Sequence, residues 1–161
     1  MTLSGLHLLL TYQCTYECEH CFVWGSPRQS GVMSLEQIRL ILLQAEQAGG
    51  IEWIYFEGGE PFLYYPTLHR GVELARQKGY HVGIVTNAYW ATSPEDAEAA
   101  LQPLAGLIED LSISSDLFHA SEMLSRQAQC AASAAEALNI PAGFISIAPL
   151  PEQPPEDGSQ P

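Results

Sequence analysis

Cys14-Thr15-Tyr16-Glu17-Cys18-Glu19-His20-Cys21 places three of the chain's four cysteines within eight positions, directly behind an apolar run at 6–12. At this cysteine content, two further specified positions are both Cys only about 6 times in 10,000, so the spacing is not accidental. A tight group of cysteines in a reducing compartment binds metal more often than it forms a disulfide framework. Three thiolates on one short loop can wrap a soft metal centre from one side. A closed zinc site takes four ligands, usually as two Cys-x-x-Cys pairs or one such pair with two histidines. Here His20 is the nearby fourth donor, and its position directly before Cys21 strains any chelation. Cys130 falls in an Ala-rich helical stretch and reads as a small apolar packing residue. A [4Fe–4S] cluster with one iron left open accounts for the count of three, and zinc is its competitor.

Outward from this loop, short apolar runs alternate with helical stretches. Residues 6–12, 51–56, 81–86, 107–114 and 143–148 read as strands of a mostly buried sheet. Ser34 followed by Gln37 forms a capping-box pattern, Leu35, Ile38, Leu42 and Ala45 share a face, and Gly49-Gly50 supplies a stop. The stretch 66–78 carries Leu68, Val72 and Ala75 on one face and ends at Gly79. Ser93-Pro94 pairs an N-cap with a first-position proline and opens a helix to about Leu104. Residues 121–138 are Ala-rich and helical, with Met123, Leu124, Ala128, Ala131 and Leu138 available for packing. Such alternation implies right-handed strand–helix–strand units and a parallel sheet. A closed eight-unit barrel needs around 250 residues, so 161 residues point to an α/β fold that is an open partial (β/α) barrel of about five strands.

Composition bounds the function. The length holds one domain with a real core, spanning 1–148, and the 47 % hydrophobic, 16 % charged mix is that of a globular chain. Residues 149–161 hold five of the eleven prolines and read as a disordered tail or linker. The net charge of −13 argues against nucleic acid as a partner, because phosphate binding rests on Lys and Arg. No apolar run approaches the roughly 20 residues of a membrane span, and the first ten residues lack a basic signal-peptide start, so the expected location is cytoplasmic.

With these residues in view, the chain resembles the N-terminal core of radical S-adenosylmethionine (SAM) enzymes. Their hallmark is Cys-x3-Cys-x2-Cys after the first strand, with an aromatic or histidine before the last cysteine, as His20 stands here. Gly58-Gly59-Glu60-Pro61 matches the family's motif after the second strand, and Thr86-Asn87-Ala88 resembles its Thr-Asn-Gly after the third. Ser112, Ser114 and Asp116 match the polar residues of its fourth strand, so the resemblance covers about 6–148. Every motif falls at a strand's carboxyl end, where ligands of parallel sheets bind.

The resemblance implies that Cys14, Cys18 and Cys21 hold a [4Fe–4S] cluster whose open iron is chelated by SAM. Reductive cleavage of SAM then yields methionine and a 5′-deoxyadenosyl radical that abstracts hydrogen from a substrate. It places Gly58 and Gly59 against the methionine moiety, Glu60 at its amino group and Phe22 at the adenine. Thr86 and Asn87 fall on the nucleoside side, and Ser112, Ser114 and Asp116 at the ribose or carboxylate. Asn87 also fits an Asx turn, and Asp116 a helix cap. His119 is a further candidate contact, Trp24 and Trp90 are candidates to line the substrate cavity, and Trp53 reads as core.

The resemblance also implies an external one-electron reductant of flavodoxin or ferredoxin type, and a small-molecule or peptide substrate. The family's sixth strand–helix unit is missing, as is any downstream cysteine group, so a C-terminal part absent here or self-association is expected to complete the enzyme. Two other readings stay open: a non-catalytic iron–sulfur or SAM-binding module, and a zinc-stabilised interaction domain.

Overall fold

A computed structural model describes residues 3–114 and 122–146. The chain runs β1 (Gly5–Thr11), α1 (Leu35–Ala48), β2 (Trp53–Gly58), α2 (Tyr65–Gln77), β3 (His81–Thr86), α3 (Pro94–Leu101), β4 (Asp110–Ser114), α4 (Glu122–Ala137) and β5 (Ala142–Ile145). Short 3-10 turns, Pro61–Tyr64 and Gln102–Leu104, lead into α2 and out of α3. All four strand pairings are parallel and the spatial order is β1-β2-β3-β4-β5. Strictly sequential order is that of a (β/α) barrel wall; a doubly wound sheet reverses direction partway across.

Alternation along the strands decides which face is covered. Leu8, Leu10, Ile54, Phe56, Val82, Ile84, Leu111 and Ile113 are buried and form one core with Ile38, Leu42, Leu68, Val72, Leu101 and Ala131 of the helices. Each such apolar side chain removed from water contributes about 1.5–3 kcal/mol. A Cβ on Gly71 of α2 would approach the Phe56 ring to 2.8 Å, so this glycine sets how closely α2 lies on β2. The opposite face of β1–β4 carries His7, Trp53, Tyr55, His81, Asp110 and Ser112, none of them fully buried. Trp53 is therefore no core residue: its ring stacks between Tyr55 (centroids 5.6 Å apart) and His81 (5.0 Å), while His7 stacks on Tyr55 at 4.9 Å.

The helix signals act as expected. Ser34 accepts from Gln37 N–H at 3.2 Å and Gln37 Oε1 accepts from Ser34 N–H at 2.8 Å, a complete capping box. Ser93 caps α3 through Asp96 N–H. Two strand starts differ from expectation by more than one residue. β4 opens at Asp110, because residues 107–109 are taken up by the turn that leaves Leu104: Leu107 N–H bonds to Leu104 O at 2.9 Å. β2 opens at Trp53 and extends to Gly58, beyond the apolar run, because the pairing with β1 continues to Thr11 opposite Gly58. Among the described residues no strand lies beyond β5, whose four residues are all exposed. The expected tail at 149–161 lies outside the described residues.

Candidate cluster site at the carboxyl edge of the sheet

The cysteine loop leaves β1 through Thr11. Its hydroxyl donates to Gly31 O at 2.6 Å and accepts from Gln13 N–H at 3.0 Å, turning the chain at the sheet edge. The loop closes on itself: Cys14 N–H bonds to Ser26 O at 3.1 Å and Ser26 N–H to Tyr12 O at 3.2 Å. Inside it, Cys21 N–H bonds to Cys18 O and Trp24 N–H to Cys21 O, so the last two cysteines sit on successive tight turns. Two sulfurs already accept N–H bonds, Cys21 from Gly25 N–H at 3.3 Å and Cys14 from Asn87 Nδ2 at 3.5 Å. Burial pushes the Cys14 thiol above its usual range, and the negative Glu60 adds to the rise; N–H donors of Tyr16, Thr15 and Asn87 oppose it.

β2 is joined to this loop by backbone. Gly59 N–H bonds to Thr11 O at 2.7 Å and Glu60 N–H to Gln13 O at 2.8 Å. A Cβ on Gly59 would stand 2.1 Å from Gln13 O, and one on Gly58, where φ is +122°, 2.4 Å from Thr11 O. Both glycines thus have a reason inside the protein: only a residue lacking a Cβ lets the end of β2 reach the end of β1. Gly25 packs by the same logic, since its Cβ would lie 3.2 Å from Gly59 Cα and 3.4 Å from Cys14 Cβ.

Glu60 is fully buried. Its carboxylate accepts from Phe62 N–H at 3.0 Å, Thr86 Oγ1–H at 2.9 Å and Asn87 N–H at 2.8 Å, tying the β2 loop to the end of β3. Burial raises its pKa to about 7 against these same donors, which pull the other way. Thr86 Oγ1 in turn accepts from Trp90 Nε1–H at 3.0 Å and Ala88 N–H at 3.1 Å. Asn87 Oδ1 accepts from Tyr89 N–H at 3.0 Å, an Asx turn, which leaves its Nδ2 for Thr15 Oγ1 at 3.0 Å and Cys14 Sγ.

Of the residues singled out in the sequence, the structure brings Cys14, Gly58, Gly59, Glu60, Thr86 and Asn87 into one bonded network, with Cys21 attached through Gly25. Phe22 is 81 % exposed beside Cys21. Ser112 stands apart from that network and donates to Asp110 Oδ2 at 2.8 Å, while Ser114 is exposed at the end of β4. Asp116 and His119 lie outside the described residues. The Trp90 ring stacks on Phe62 at 4.4 Å and its N–H turns inward to Thr86. Trp24 lines an open cavity of about 580 Å³ with Cys18, Cys21, Glu17 and Arg28. Sequence reasoning overlooked Gly25, Thr15 and Tyr64, whose hydroxyl holds Gln13 Oε1 at 2.7 Å. Their partners are distant in sequence, and no local pattern announces them.

Among the described residues no three His, Cys, Asp or Glu side chains converge on a single point as one metal ion would require. A cubane cluster makes no such demand, because its thiolates bind different irons.

The model of the radical SAM superfamily matches residues 8–116. The putative peptide biosynthesis protein YydG of Bacillus subtilis is 29 % identical over 112 residues, covering 69 % of this chain and 35 % of its own length. The tungsten-containing aldehyde ferredoxin oxidoreductase cofactor-modifying protein of Pyrococcus furiosus is 33 % identical over 107 residues, 66 % of this chain and 28 % of its own. The chain therefore spans about a third of the length of these curated relatives. Among solved structures, BtrN in complex with AdoMet and 2-DOIA superposes with a TM-score of 0.66 at 20 % identity, over 91 % of this chain and 57 % of BtrN. Methylornithine synthase PylB gives 0.60 at 14 % identity, over 89 % of this chain and 44 % of its own. Family match, sheet order and the placement of the cysteine loop agree: the chain belongs to the radical SAM superfamily.

Proposed function

We propose that Cys14, Cys18 and Cys21 hold a [4Fe–4S] cluster, that SAM binds beside it, and that the chain is the core of an enzyme starting radical chemistry on its substrate. The observation that carries this reading is the cysteine loop, pinned across the carboxyl ends of β1 and β2 with N–H donors already on two of its sulfurs. Thiolates bound to iron keep negative charge on sulfur, and N–H donors stabilise that charge, so the residues present fit the group. When bound, the cluster and SAM supply a reducing electron and a hydrogen-abstracting organic radical.

The chain's own contribution is positioning. Gly58 and Gly59 bring the end of β2 against the cysteine loop, and Glu60 serves as the buried anchor beneath it, its oxygens turned to protein donors. Cofactor contacts are assigned to Asp116, as the resemblance implies, and to the exposed side of the site: the backbone at Phe22, and Ser114, the last residue of β4. Ser112 lies one layer below them on the face away from the helices, which we assign as the wall facing the substrate. That wall presents His7, Tyr55 and Asp110, polar groups suited to a small molecule or peptide. The reading calls for an external one-electron reductant, which the family generally uses. In the described residues no helix is long and apolar enough to cross a membrane.

The test is anaerobic reconstitution with iron and sulfide, then incubation with SAM and a low-potential reductant. Reductant-dependent release of methionine from SAM is expected. Iron and sulfide loading without SAM binding by calorimetry would instead leave a non-catalytic iron–sulfur module, and one zinc per chain without sulfide would leave a zinc-stabilised domain.

A further inference from the structure

The amides that reach the cysteine sulfurs differ in kind. The donor to Cys21 is Gly25 backbone N–H, which belongs to the loop itself. Cys14 takes backbone N–H donors from Thr15 and Tyr16 of its own loop and, besides these, the Asn87 side chain, 73 residues away and carried by a different strand end. Asn87 is held from three directions: its N–H donates to Glu60 Oε2 at 2.8 Å, its Oδ1 accepts from Tyr89 N–H at 3.0 Å, and its Nδ2 also reaches Thr15 Oγ1 at 3.0 Å. With Oδ1 fixed by the Asx turn, the amide cannot flip without losing that bond. Its NH2 is therefore committed to the Cys14 side, leaving no donor for a nucleoside.

We propose that Asn87 is an outer-sphere donor to the Cys14 thiolate that sets the reduction potential of the cluster, and that Glu60 is the positioning residue that holds it there. This rests on the three-cysteine reading above. An N–H···S bond strengthens when the cluster gains an electron, because charge on the thiolate rises, so the donor favours the reduced form. Removing it makes the cluster harder to reduce. One net hydrogen bond corresponds to about a three- to tenfold change in the ratio of reduced to oxidised cluster at a fixed solution potential. Tenfold is about 59 mV for a one-electron couple.

The experiment compares the reconstituted wild-type chain with Asn87→Asp, Asn87→Ala and Glu60→Gln, measuring iron content, midpoint potential and the EPR spectrum of the reduced cluster. Asn87→Asp keeps the Oδ1 acceptor of the Asx turn while losing the Nδ2 donor, which guards against a collapsed loop. Asn87→Ala removes the donor without adding charge. The expected result is wild-type iron content with a lower potential in both Asn87 variants, the Asp variant lower still. Glu60→Gln also removes a nearby negative charge, which by itself raises the potential, so the positioning role is read from the double variant: the effect of Asn87→Ala should be smaller in the Glu60→Gln background than in wild type, as coupled residues on one path show. Normal iron content with an unchanged potential in Asn87→Ala would overturn the proposal and leave the cluster assignment standing. Loss of iron from both Asn87 variants, with wild type loading normally, would also overturn it by making Asn87 a retention residue. A wild-type chain that takes up no iron or sulfide would instead overturn the three-cysteine reading itself.

Discussion

Glu60 is a carboxylate with no exposed surface, and its chemistry is readable in the stability of the fold. Its pKa is about 7 folded against 4.5 in an exposed setting, so between those values the folded chain binds the extra proton. Stability therefore falls as pH rises from about 4.5 through 7, by an amount on the order of 3 kcal/mol, and levels off above. Urea titrations of the metal-free chain at pH 5 and pH 8 check this. Wild type should lose stability over that interval relative to Glu60→Gln, which cannot ionise; parallel curves would contradict it. The glycines give a second test at the same scale. Gly59→Ala drives a Cβ to within 2.1 Å of Gln13 O and should lower the urea midpoint by the equivalent of about 1–3 kcal/mol or more. Gly143→Ala meets nothing within 4 Å and has no positive φ, so it should be neutral or stabilise slightly. The motif Gly58-Gly59-Glu60 was legible as a string, but not its local reason. The sequence suggests contact with a ligand; the structure adds that the ends of β1 and β2 need the two glycines to meet.

At the scale of elements, helix starts were the most legible feature, because caps act within three or four residues of themselves. Ser34 and Gln37 close the box that the spacing predicts, and Ser34→Ala should cost about 1 kcal/mol in thermal or urea unfolding. Strand limits were less legible. The apolar run predicts a start of β4 at Leu107, yet an apolar residue there packs from a turn as well as from a strand, and only the pairing of Gly83 with Asp110 fixes the boundary. Trp53 departs from the expected core position for a related reason: period-two alternation says which residues share a face, not which face the helices cover. β5 offers a prediction of its own. Its outer edge is unpaired among the described residues, and Phe144 and Ile145 are 58 % and 47 % exposed. Such an edge invites strand-to-strand association. Light scattering of the isolated chain should show self-association at micromolar concentration, reduced by Ile145→Lys; a monodisperse monomer in both would contradict this.

At the scale of the whole molecule, one design principle links the parts. Helices and strands build a five-stranded wall whose carboxyl edge gathers three chain segments, the cysteine loop, the Gly-Gly-Glu turn and the end of β3. Each segment was visible in the sequence as a separate motif. Their mutual bonds were not, because Asn87 to Cys14, Glu60 to Gln13 and Gly25 to Gly59 are contacts between distant positions that no local periodicity encodes. The account stands on the claim that these segments exist to hold a cluster on three cysteines. The most direct measurement is iron and sulfide per chain after anaerobic reconstitution of wild type, Cys18→Ala and Cys130→Ala. The account predicts about four iron atoms per chain in wild type and Cys130→Ala, and loss of the brown chromophore in Cys18→Ala. Equal loss of iron in Cys130→Ala, or full loading in Cys18→Ala, would contradict it.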